Sequence, residues 1–155
     1  MKKVLYLHGL ESKQGGPKVD FLADNCYVYA PEMDYTQKDI FPTFIQIMKD
    51  FNPDLIIGSS MGGYFAMLLA THIKTKVVAF NPALHSRTIN IEGAKSGKEK
   101  LEGLVVLGKN DDIISPSKTI EILENIDNDL SISIEKEMKH RVPLNIFINK
   151  TINEL

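Results

Sequence analysis

The sequence predicts the α/β class, a doubly wound sheet of about six mostly parallel strands with helices on both faces. Three observations predict it. Short apolar runs alternate along the chain with stretches whose apolar residues recur at helical spacing. Several of these runs are apolar throughout rather than at every second residue, as strands covered on both faces must be. Polar, potentially reactive residues stand directly after the runs, at the carboxyl ends where open α/β sheets carry their sites. A chain of 155 residues suits a single domain over 1–155, and no internal repeat or linker divides it.

Residues 4–7 are the first expected strand, bounded by His8 and Gly9. A Ser- and Gly-rich loop follows over 11–16. Pro17 suits a first helical turn, and Val19, Phe21 and Leu22 give the apolar stripe of a helix reaching about Asn25. Residues 26–30 read as the second strand, stopped by Pro31, which makes Cys26 a buried structural thiol. Thr36 or Asp39 caps the next helix. It runs to Phe51 with Pro42 in its first turn and Phe44, Ile45, Ile47 and Met48 at helical spacing. Asn52 and Pro53 end it, and Asp54 leads into the third strand from Leu55. Residues 61–72 read as a helix apolar almost all round, suited to packing centrally on a sheet.

Residues 76–80 are the fourth strand, ended by Asn81, Pro82 and Ala83. Residues 84–100 are polar with only Ile89 and Ile91 as apolar anchors, and read as a loop or short helix over one face. Residues 104–107 are the fifth strand, closing at Gly108. Ser115 as cap and Pro116 at the first position open a helix to about Asn125. Residues 130–134 are the sixth strand, and a last helix starts at about Pro143.

The most informative stretch is Gly58-Ser59-Ser60-Met61-Gly62, set between the third strand and the helix after it. A serine there, on a sharp turn from strand to helix, is pushed out from the top of the sheet in a strained conformation. Gly58 and Gly62 leave room where strand and helix pass closely, and Gly63 adds slack. Ser60 is therefore the candidate nucleophile. Activating a serine hydroxyl requires an imidazole as base and a carboxylate to orient it. Asp111 or Asp112 after the fifth strand and His140 after the sixth supply both, in the order serine, acid, histidine. Main-chain N–H groups of Met61 and of the loop after the first strand are the expected oxyanion donors.

Composition narrows the alternatives. A net charge of −2 and scattered lysines and arginines point to neither nucleic acid nor an anionic membrane as partner. A single cysteine precludes an internal disulfide and suits a reducing compartment. The apolar run after Lys2 and Lys3 is too short for a secretory signal, so the expected location is the cytoplasm. The four histidines and the acidic residues show no ligand spacing, and no cofactor or metal is expected. Gly15, Gly16 and Pro17 form no phosphate loop, which argues against a flavodoxin-like nucleotide binder.

Leu7-His8-Gly9-Leu10, Gly58-Ser59-Ser60-Met61-Gly62-Gly63-Tyr64, Asn81-Pro82-Ala83, Gly108-Lys109-Asn110-Asp111 and the late His140 together resemble the small α/β-hydrolase esterases of the YqiA type. The likeness runs over nearly the whole chain, and the elbow with its extra glycine and following aromatic is its most specific part. It implies a compact α/β-hydrolase fold with no large lid domain, acting on a small-molecule ester or thioester. It also implies Ser60 as nucleophile, Asp111 as acid, His140 as base and Leu10 as the second oxyanion donor, with His8 and Gly9 ordering the oxyanion loop. Asp111 is favoured over Asp112 because the family pattern sets the acid three residues beyond the glycine that ends the strand, here Gly108. One departure stands out: Glu137, Met138 and Lys139 precede His140 where relatives often have glycines. Lys139 and Arg141 would disfavour the imidazolium if they faced the site. A non-catalytic relative that binds a protein or ligand is the rival reading. Met33, Tyr35, Phe41 and Leu84 are candidates for either an acyl pocket or the core.

Overall fold

The computed structural model describes residues 1–155. Six strands form one parallel sheet in the order β2-β1-β3-β4-β5-β6. They are β1 (Lys3–Leu7), β2 (Tyr27–Tyr29), β3 (Leu55–Ser59), β4 (Lys76–Phe80), β5 (Leu101–Gly108) and β6 (Asn128–Glu135). The helices are α1 (Pro17–Asn25), α2 (Ile40–Phe51), α3 (Met61–Ala70), α4 (Pro116–Glu124) and α5 (Leu144–Thr151), the last followed by a short 3-10 turn (Ile152–Glu154).

Strand alternation divides the core into two layers. Leu5, Leu7, Ile56, Val77, Ala79, Val105 and Leu107 face α2, α3 and α4. Val4, Tyr6, Leu55, Ile57, Val78, Phe80 and Val106 face α1 and α5, where Phe147 is fully buried. The chain steps from β1 to β2 with its helix on the second face, then returns past β1 to β3 and on to β6 with helices on the first. A single crossover hand requires that switch of faces. The strand order therefore reverses between β1 and β3, and the carboxyl ends of those two strands flank the crevice where such sheets bind ligands.

Several boundaries differ from the sequence reading. Cys26 belongs to no strand: it ends α1, buried, with its thiol donating to Leu22 O at 3.0 Å. β2 is shorter than expected, β5 and β6 are longer, and α3 stops at Ala70. Asp39 holds the N-cap position of α2 without a side-chain bond to the helix, and Thr36 bonds instead to Asp34. The short-helix alternative for 84–100 does not form. That stretch crosses from β4 to β5 as irregular backbone, anchored by buried Ile91 and half-buried Ile89 on the α3 face. Gly93 there adopts φ 70° and Gly97 presses against Thr71, a pattern no helix accommodates.

Candidate active site

Each site residue stands on the turn just beyond a strand. Ser60 follows β3 and has φ 56° and ψ −117°, the strained geometry of an elbow. Its N–H donates to Phe80 O at 2.9 Å, and its own carbonyl accepts from Tyr64 N–H and Ala83 N–H, both at 3.0 Å, so the strain is held by β4 and the first turn of α3. Gly58 has the expected reason to be glycine, since a Cβ would lie 2.8 Å from Gly63 N in α3. Gly62 has a different one. Its missing side chain makes room for the end of β1, where a Cβ would lie 2.8 Å from His8 O.

Asp111 and His140 come from the turns after β5 and β6. These turns are joined by Lys109 N–H to Glu135 O (2.9 Å) and Asn110 N–H to Met138 O (3.1 Å). Gly108 permits this approach, because a Cβ there would sit 2.6 Å from Lys139 O. His140 Nδ1 lies 2.8 Å from Asp111 Oδ2, and His140 Nε2 lies 2.9 Å from Ser60 Oγ. An ionised carboxylate only accepts, so Nδ1 carries the imidazole proton and Nε2 is left to accept from the serine hydroxyl. Asp111 Oδ1 accepts from the N–H groups of Ile113 and Ile114, both at 2.9 Å, and its side chain is wholly buried. Asp112 is exposed. Of the two aspartates only Asp111 contacts His140, and Lys139 and Arg141 are exposed to solvent rather than turned inward.

The loop after β1 meets Ser60 from the other side. A Cβ on Gly9 would stand 3.4 Å from Ser60 Cβ, so glycine allows the close pass. Leu10 N–H makes no main-chain hydrogen bond, and Met61, as the first residue of α3, has an N–H without a helical acceptor. His8 bonds within and beside this loop. Its Nε2 accepts from Met33 N–H at 2.9 Å, which leaves Nδ1–H to donate to Gly9 O at 2.8 Å. Tyr35 O–H donates to His8 O at 2.5 Å. Burial, and then the neighbouring Tyr6, hold the Tyr35 hydroxyl in its protonated, donating form far above the usual phenol range.

Of the residues weighed for an acyl pocket, Met33, Tyr35 and Phe41 are in the core, and Leu84 is half-buried against it. His85 stands beside Leu84 in the crossover segment, with a buried Nε2 that has no partner. His72 Nε2 donates to Lys95 O at 2.7 Å, fastening the crossover segment. A polar hollow lined by Lys2, Asp54, Lys76, Glu99, Glu102 and Asp129 lies at the amino ends of the strands, remote from Ser60. The hydrogen bonds of Asn81 and Tyr35 lie beyond what the sequence indicates. Asn-Pro after a strand was the available signal for Asn81, whereas nothing local marks a tyrosine that bonds a loop 27 positions earlier.

Residues 3–94, more than half of the chain, match the UPF0227 family, described as an uncharacterised protein family. The chain belongs to that family. It is the family of the YqiA-type proteins that its motifs resemble. UPF0227 proteins of two Vibrio vulnificus strains are 27% identical over 151 residues, covering 79% of this chain and 82% of theirs. Solved structures share the fold at lower identity. A Xanthomonas campestris protein assigned to the α/β hydrolase superfamily superposes with a TM-score of 0.71 at 16% identity, covering 100% of both chains. A monoacylglycerol lipase of Paleococcus ferrophilus gives 0.68 at 17% identity, over 90% of this chain and 86% of that one. The Bacillus cereus carboxylesterase gives 0.60 at 18%, over 99% and 87%. At such identities the likeness establishes the fold: this is an α/β-hydrolase fold.

Proposed function

We propose that the protein is a serine hydrolase that cleaves a carboxylic ester, or a thioester by the same steps, through an acyl-enzyme on Ser60. The observation that carries the reading is the unbroken chain Ser60 Oγ, His140, Asp111 at 2.9 and 2.8 Å. A lipase and a carboxylesterase among the proteins of this fold support it.

Ser60 Oγ attacks the acyl carbon while His140 Nε2 takes its proton. Asp111 holds the ring in the Nδ1–H tautomer and stabilises the imidazolium, its second oxygen being saturated by the Ile113 and Ile114 N–H groups. The oxyanion is met by the N–H groups of Leu10 and Met61, fixed in place before charge develops. His140 then protonates the departing alkoxide, or the departing thiolate of a thioester, to release the alcohol or thiol. In the second half a water gives its proton to His140 and attacks the acyl carbon, and Ser60 leaves with the proton from His140. Three protein groups and water close the cycle, so the reaction as proposed needs no metal or cofactor. The partner is a small acyl substrate, and the lone buried cysteine supports a cytoplasmic setting.

The test is labelling with a fluorophosphonate probe, with the modified peptide identified by mass spectrometry, followed by a panel of esters and thioesters. Labelling at Ser60 that is absent from Ser60→Ala and lost in His140→Ala is the expected result. Folded protein that resists the probe and turns over none of the panel would overturn the reading in favour of a binding module.

A further inference from the structure

We propose that Asn81 is the positioning residue that fixes His140 for proton transfer, by locking the turn that carries the base to the turn that carries the acid. The inference rests on the reading of Ser60, His140 and Asp111 as the reacting set.

Asn81 ends β4 and is 1% exposed. It holds φ 42°, a left-handed conformation that asparagine visits more readily than most residues. Both side-chain polar atoms and the main-chain N–H have partners. Its Nδ2 donates to Lys139 O at 3.0 Å and to His140 O at 2.9 Å, and its Oδ1 accepts from Gly108 N–H at 2.8 Å. Its own N–H donates to Val106 O in β5 at 2.9 Å. The next residues continue the link, since Ala83 N–H donates to Ser60 O at 3.0 Å. One short turn thus touches the serine, acid and base turns together.

The amide is placed where nothing else supplies a donor. No other main-chain or side-chain group donates to Lys139 O or His140 O. The main-chain bonds between the acid and base turns stop at Met138 O. Lys139 and Arg141, on either side of the histidine, are exposed and pack against little. Buried Met138 and Val142 anchor the two ends of the histidine turn in the core, and between them it is held by the Asn81 amide and, at the ring, by the Asp111 carboxylate. An acceptor on Asn81 alone would not do: the side chain must give two protons and take one, which among common residues only a primary amide does. Buried carbonyls robbed of their donor must find water or move. A shift of the ring by an ångström from its 2.9 Å contact with Ser60 would cost on the order of 10²-fold in turnover.

Two variants test it. Asn81→Gly accepts the left-handed backbone and removes the amide. Asn81→Asp is isosteric, keeps an acceptor for Gly108 N–H and turns an oxygen toward the two carbonyls. Melting curves establish that each is folded, and the isosteric variant is read if the glycine variant melts below the assay temperature. The expected result is a fall in kcat of on the order of 10²-fold with KM little changed. The low-field proton resonance of the His140 Nδ1–H bonded to Asp111 should be lost or broadened. In a His140→Ala background, Asn81→Gly should lower the residual ester turnover no further, because the residue acts through the histidine. Wild-type kcat and resonance in a folded variant, or an equal fall in the residual turnover without His140, would overturn the proposal. A wild-type protein that is never labelled defeats the hydrolase reading instead, and the resonance still reports whether Asn81 orders the ring.

Discussion

At the scale of single residues, two adjacent aspartates make the sharpest contrast. Asp111 is buried and uses both oxygens, one on His140 Nδ1–H and one on two main-chain N–H groups, while Asp112 is exposed. Asp111→Asn keeps the shape but offers the ring the wrong partner, so kcat should fall on the order of 10³–10⁴-fold with the fold retained. Asp112→Asn should leave turnover within about two-fold of wild type, as surface changes away from a site do. Ester kinetics on the pair decide it, and equal losses would remove Asp111 from its role. Gly62 is the second residue-scale case. A Cβ would come within 2.7 Å of the Leu7 carbonyl carbon and 2.8 Å of His8 O, both main-chain atoms that cannot swing aside. Gly62→Ala should therefore cost on the order of 3 kcal/mol in urea unfolding and lose probe labelling, since it pushes the elbow off the oxyanion loop. A fully stable, fully labelled Gly62→Ala would contradict that packing.

Among the elements, the irregular crossover over 84–100 is the one held by borrowed contacts. Thr71, just past α3, donates its hydroxyl to Leu68 O at 2.6 Å and accepts from Gly97 N–H at 2.7 Å, while its carbonyl accepts from Glu99 N–H at 2.8 Å. Thr71→Val keeps the shape and strips both hydroxyl bonds. We expect a loss of about 1–2 kcal/mol, faster proteolysis within 84–100, and unchanged labelling of Ser60. Proteolysis at the wild-type rate would show that His72 and Ile91 hold the segment without Thr71. This stretch also marks where the sequence stopped being legible. β1, β3 and β4, along with α3, could be read because unbroken apolar runs and an all-round apolar helix leave a parallel sheet few alternatives. The order of Ser60, Asp111 and His140 could be read because each falls just after such a run. The bonds of Asn81, Thr71 and His72 could not, since they join residues 23 to 59 positions apart and leave no periodic trace. Cys26 was misplaced because its apolar neighbours pattern as strand, whereas the end of α1 claims it.

For the molecule as a whole, Ser60, Asp111 and His140 are delivered by three different strand ends, so their contact persists only while the sheet and both its faces are intact. The face covered by α1 and α5 contains a titratable group at its centre. Tyr6 lies on β1 with its ring edge-on to Phe147 at 5.9 Å, and burial pushes its hydroxyl up from the ordinary 10.0 to about 12. A raised phenol means that the folded state holds its proton more tightly than the unfolded chain. The associated stability is complete below pH 10.0, begins to go as the unfolded chain ionises above that value, and is gone once the pH has passed about 12. A displacement of this size corresponds to about 2–3 kcal/mol across the window. Tyr35 is displaced in the same direction by burial, so the protein should lose stability steeply in alkali, and Tyr6→Phe should remove part of the slope but not all. Urea unfolding of both proteins from pH 9 to pH 12 measures the difference. Curves that fall in parallel through the whole range would mean that the Tyr6 hydroxyl reaches water in the folded protein. The face formed with α5 would then be looser than the fully buried Phe147 implies.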